Sequence, residues 1–203
     1  MQTGAGARDG AICSLSTVRK ALAEYLSGVS PACVRAEDIV LPYRTADAAV
    51  PLSKLGLTAE ELKNSLAVTP APQEIGSISV FGSKVLFRFS HAFLERAAAE
   101  QGRRLPEPVL PDEIAIPAGG AAPDEDARAY ALSLAVCAHR SGRPYREDKA
   151  HPALLACLLL AENGGPVVPA VRAVIKAFDE GLFGGEAVLF MAKSLCHCGT
   201  KKE

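Results

Sequence analysis

Apolar residues recur along this chain with two different periods. From Ser16 to about Gly28, Val18, Leu22, Tyr25 and Leu26 share one face at helical spacing, with Ser16 placed to cap the start. Asp38 to Tyr43 contains Ile39, Val40 and Leu41 and predicts a short strand, which Pro42 puts at a sheet edge. Thr58-Ala59-Glu60-Glu61 has capping-box spacing, in which Thr58 and Glu61 satisfy each other's amides. A helix to about Ala67 follows, ended by Pro70 and Pro72. The period then drops to two. Ile78 and Val80 alternate with Ser77 and Ser79, and Val85, Phe87 and Phe89 alternate with Leu86 and Arg88. With Phe81-Gly82-Ser83-Lys84 between them, these runs predict a hairpin with one buried face. Ser90 caps a helix through about Gln101, ended by Gly102.

Residues Leu105 to Pro123 hold five prolines, with Gly119 and Gly120 among them. No helix or central strand crosses such a stretch. The division that follows is an α+β domain at 11–104, a proline-rich linker at 105–123 and a helical bundle at 124–199. The last part carries four helical patterns. Asp124 caps the first, with Ala127, Tyr130, Ala131, Leu134 and Ala138 on one stripe to about Ser141. Pro152 suits the first turn of the second, which ends at Gly164-Gly165. Pro169 opens the third, with Val171, Val174, Ile175 and Phe178 in register, and Gly181 ends it. The fourth runs from Glu186 to Cys198. The fold class expected is α+β: a helix-covered β-hairpin sheet followed by an all-α bundle.

Composition narrows the function more by exclusion than by indication. Of 203 residues, 49% are hydrophobic, enough for a real core, which excludes a disordered chain. Lys+Arg number 22 and Asp+Glu 23, a net charge of −1, and each half is close to neutral. Total charge therefore makes no case for nucleic acid or membrane. The longest strongly apolar run, Pro152 to Ala161, is far shorter than the ~20 residues of a membrane span, and Met1 to Gly10 is not a secretory leader. A cytoplasmic protein with no membrane partner is expected, its six cysteines reduced.

Candidate chemistry is sparse. There is no G-x-S-x-G, no P-loop and no dinucleotide-binding glycine motif after a strand. Cys196-His197-Cys198 offers good zinc ligands but lacks a second pair at a zinc spacing, so no metal and no cofactor is assigned. Cys137 with His139 or His151 would be a thiol–imidazole pair, but no third group orients it and no catalytic residue is assigned. The stretch from His139 to Lys149 sets four cations against two anions around Tyr145, and reads as a basic helix–helix connection suited to phosphates and a stacked base.

The order helix, strand, helix, hairpin, helix over residues 14–101 carries a resemblance. The segment IGSISVFGSKVLFRFSHAFLE, from Ile75 to Glu95, and the preceding Leu52 to Leu62 resemble the N-terminal additional domain of arginyl-tRNA synthetases. In that family the domain contacts the outer corner of tRNA, and an all-helical anticodon-binding domain closes the chain. No His-x-Gly-His segment occurs here, and a catalytic domain does not fit beside the two modules, so the resemblance implies no aminoacylation. It implies a stand-alone relative of the non-catalytic parts. The expected function is a non-catalytic RNA-binding module for tRNA or another structured RNA, with Lys84, Arg88, Arg140, Arg143, Arg146 and Lys149 on phosphates. A protein–protein interaction or regulatory module is the alternative, and a small zinc- or Cys-dependent enzyme a third.

Overall fold

The computed structural model describes residues 14–43, 46–107, 124–141, 146–164, 167–179, 181 and 185–197. Helix α1 (Leu15–Val29) is followed by a 3-10 turn at Ala36–Asp38, strand β1 (Ala48–Pro51) and helix α2 (Ala59–Val68). The hairpin β2 (Ile75–Phe81) and β3 (Lys84–Phe89) leads into α3 (His91–Arg104). Four further helices complete the described chain: α4 (Asp124–Ser141), α5 (Glu147–Asn163), α6 (Val167–Asp179) and α7 (Glu186–His197). This is a mixed α+β fold with a helical C-terminal region, as the periodicities predict.

The three strands form one antiparallel sheet in the order β1-β3-β2. Pairing Ile78 with Phe87 and Val80 with Val85 turns one apolar face inward. Phe87 and Phe89 are buried there, and the Phe89 ring meets Phe93 of α3 edge-on at 5.5 Å. The two-residue turn needs Gly82, whose φ of +56° suits a residue without a Cβ. Helix α1 lays Val18, Leu22 and Leu26 in the same core.

Helix α3 joins the two parts. It packs on α5 and α7, and the buried side chains before and after the proline-rich stretch form one continuous apolar cluster. That stretch itself, from residue 108 to 123, lies outside the described residues. Within the bundle α5 packs on α6 and α7, and α4 packs on α6 and α7. Two polar ties supplement the apolar contact. Glu162, near the end of α5, accepts from the Leu15 amide at 2.8 and 3.1 Å and from the Ser16 amide at 3.4 Å, so it closes the N-terminus of α1. Arg128 on α4 donates to the carbonyls of Leu195 and Cys196, which closes the C-terminus of α7.

Several expectations need correction. The cap of α1 is Ser14, two residues before Ser16: its hydroxyl accepts from the Thr17 amide, and Thr17 reciprocates. Asp38 to Tyr43 is no strand. Asp38 folds back onto the Arg35 amide at 3.0 Å, and Val40 makes a lone bridge to Ala49 before Pro42, which has no N–H to donate. The sheet's third strand is instead Ala48–Pro51, on β3. Gly102 does not end α3 but lies inside it, beside Phe190 of α7. Helix α5 begins at Glu147, so Pro152 is interior; its ring is exposed, which leaves the unpaired carbonyl of the preceding turn within reach of water.

Two stability predictions follow from these contacts. A Cβ at Gly102 would meet Phe190 at an ordinary 3.6 Å, so Gly102→Ala should raise stability by about 0.5–1 kcal/mol in urea unfolding through its helix propensity. Burial pushes the Glu162 carboxyl above its ordinary pKa of 4.5, and the amides of Leu15 and Ser16 pull it partly back. The folded chain therefore holds this proton more tightly than the unfolded chain, and stability from this site falls as pH rises from about 4.5 through the folded-state pKa. The advantage of the native chain over Glu162→Gln should shrink as pH rises above about 4.5; an advantage that grows would mean the amide bonds outweigh burial.

Candidate functional site

Strand β3 is the central strand, and its alternation sorts its side chains into two environments. Val85, Phe87 and Phe89 go inward, which leaves Lys84, Leu86 and Arg88 on the opposite face. The register places Phe81 of β2 across from Lys84, Ser79 from Leu86 and Ser77 from Arg88. Phe81 is 78% exposed, and Ser77, Ser79 and Arg88 are exposed as well. Tyr43 joins this face from the preceding loop: Lys84 Nζ donates to its hydroxyl at 2.8 Å and lies 4.4 Å from the ring centroid. None of these positions is acidic. The outward face combines two cations, two aromatic rings and two hydroxyls.

At one end this face meets α5 in a cleft of about 470 Å³. Leu41, Leu155, Leu159 and Pro169 supply apolar wall, and Tyr43 and Arg88 reach it from the sheet side. Asp47 and His151 also line it, although they are 5% and 8% exposed. Asp47 Oδ2 accepts from the Phe89 amide at 2.6 Å and lies 2.8 Å from His151 Nε2. His91 of α3 lies beside this pair, its ring centroid 6.3 Å from that of His151. A buried carboxylate needs such partners, because desolvation without them costs several kcal/mol. Asp47 is thus what orients His151, a group no sequence pattern revealed: the two lie 104 residues apart. Cys137, offered as a thiol partner, is exposed on α4, and Cys157 is buried on α5.

The cations named from sequence fall into two groups. Lys84 and Arg88 share the outward sheet face. Arg140 is exposed in the last turn of α4. Arg146 is the N-cap residue of α5, and its guanidinium pairs with Asp148 at 3.0 Å. Lys149 is in the first turn of the same helix, so this part of the basic stretch is helix start rather than connection. Arg143 lies outside the described residues. Cys196 and His197 end α7, and Cys198 also lies outside the described residues; among the described residues no three His, Cys, Asp or Glu side chains are grouped to hold a metal ion. Met191-Ala192-Lys193-Ser194 is buried within α7, and Lys193 Nζ donates to Glu107 and to the Gly102 carbonyl. No described helix is long and apolar enough to cross a membrane. Comparison with family models, curated proteins and solved structures returned no match.

Asp47→Ala should cost about 2–4 kcal/mol in urea unfolding, because it strands the buried Phe89 N–H and His151 together. Asp47→Asn keeps an acceptor for the Phe89 amide and should cost less. A loss below about 1 kcal/mol for Asp47→Ala would mean that water replaces the carboxylate.

Proposed function

We propose that this chain is a non-catalytic RNA-binding module that takes a structured RNA such as tRNA on the outward face of its sheet. The observation that carries the reading is the composition of that face: Lys84 and Arg88 for phosphates, the exposed ring of Phe81 and the ring of Tyr43 for bases, and no carboxylate among them. A base stacked on an aromatic side chain contributes about 1–3 kcal/mol whatever its identity, and each cation neutralising a phosphate releases counterions. The charges needed are local, so a net charge of −1 does not oppose the reading. Arg140, Arg146 and Lys149 belong to the helical half and would extend the contact; Arg146 already shares its charge with Asp148. A protein-interaction module is the second reading, favoured by two exposed apolar side chains, Val68 on α2 at 82% and Phe81 on β2 at 78%.

Filter binding against total cellular tRNA at several salt concentrations tests the first reading. Binding should be micromolar or tighter at low salt and fall steeply as salt rises. Phe81→Ala should weaken it about tenfold with the salt slope unchanged. Lys84→Gln with Arg88→Gln should reduce the slope by about 1.5, from two phosphates at roughly 0.7–0.9 each. Absence of binding at low salt would overturn the reading.

A further inference from the structure

We propose that the cleft between the sheet and α5 binds a small organic anion with an aliphatic body, at a site whose leucine wall is its own and whose Arg88 and Tyr43 it shares with the outward face. At about 470 Å³ it falls within the range of small-molecule sites, roughly 300–1,000 Å³. Its wall is aliphatic where Leu41, Leu155 and Leu159 face it, with Pro42 and Pro169 completing the apolar surface. An apolar body there leaves water without losing hydrogen bonds.

The sign of the head group follows from the charges at the cleft. Arg88 lines it and makes no ion pair with a described residue. Lys84, which is not part of the lining, donates to the hydroxyl of Tyr43, which is. The one carboxylate among the described lining residues, Asp47, already serves the Phe89 amide and His151. A cationic ligand finds no uncommitted carboxylate among the described lining residues, and a neutral apolar one leaves the exposed Arg88 unused. A carboxylate or sulfonate on an apolar body meets both demands: its head takes Arg88, and its body takes the leucine wall.

The experiment compares two fluorescent molecules of nearly equal shape, 1-anilinonaphthalene-8-sulfonate and its uncharged parent N-phenyl-1-naphthylamine. The native chain should bind the sulfonate saturably, and decanoate should displace it. Arg88→Met should weaken the sulfonate at least about fivefold and leave the uncharged parent within about twofold, consistent with loss of one charge-assisted contact. Leu159→Trp should abolish both by filling the cleft, and Ala156→Leu is the milder filling variant if that protein fails to fold. Both filling variants should bind tRNA as the native chain does, so failure of this site and failure of the RNA reading are distinguishable. The proposal is overturned by non-saturable binding, by an unchanged preference in Arg88→Met, or by AMP displacing the sulfonate where decanoate does not.

Discussion

The Asp47 carboxylate is the constraint on which the relation between the two parts depends. It follows directly on the loop that brings Tyr43 to the sheet and accepts from the Phe89 amide at the end of β3. The same oxygen meets His151 on α5. An ionised carboxylate in that position is tolerable only while both contacts persist, since either loss leaves a buried polar group unmatched. Apolar contact between α3 and the bundle would tolerate small slides of one helix on another. A hydrogen bond of 2.8 Å tolerates only a few tenths of an ångström before it weakens, so it ties the start of α5 to the end of the sheet. Such a pair contributes more to specifying one arrangement than to net stability, because desolvation offsets much of its gain. The tied pair itself lines the cleft, between the loop at Leu41 and Pro42 and the leucine side of α5.

Helix α3 supplies the complementary apolar constraint. Phe93 and Leu94 sit in the core with the sheet's phenylalanines, while Ala97, Ala98 and Gly102 present small surfaces. Small residues let α7 approach until Phe190 lies over Gly102. Lys193 on α7 then reaches the Gly102 carbonyl and Glu107, so the last turn of α3 is held by both packing and charge. The Glu162 carboxylate does the same at the far end of α5, where it gathers the free amides of α1. Each tie spans the proline-rich stretch, which explains how halves separated by so many prolines share one core.

What was legible in the sequence was what depends on neighbours in the chain. The Thr58–Glu61 box, the alternation of Val85, Phe87 and Phe89, and the Ser90 cap are local devices, and all three form. The failures are positions where a distant partner decided. Ile39-Val40-Leu41 carries more β character than Ala48-Ala49-Val50, yet β3 pairs with the latter from Lys84 to Phe87, and Val40 makes a single bridge to Ala49. Gly102 reads as a stop because nothing local reveals that α7 packs over it and carries α3 on to Arg104. Arg146 and Lys149 read as loop cations because Pro152 looked like a helix start, whereas Glu147 and Asp148 begin α5 with acids suited to its N-terminus. His151 read as an isolated imidazole because its carboxylate lies 104 residues earlier.

Arg88 is where the outward face and the cleft meet, and its position restricts what either can do. It is exposed on the central strand, opposite Ser77, yet it also lines the cleft. One guanidinium carries a single positive charge, so an anion that neutralises it weakens its hold on a second. A phosphate on the face and a carboxylate in the cleft would therefore compete for Arg88, and Tyr43, which also lines the cleft, adds to the overlap. Such competition is reciprocal by thermodynamic necessity: whatever factor an anion in the cleft costs a nucleic acid on the face, the nucleic acid costs the anion. Lys84 does not share this conflict, since Tyr43 holds its ammonium over the ring. The coupling is bounded by the contribution of a single charge-assisted contact, about 1.5–3 kcal/mol, and can bias occupancy without excluding either ligand.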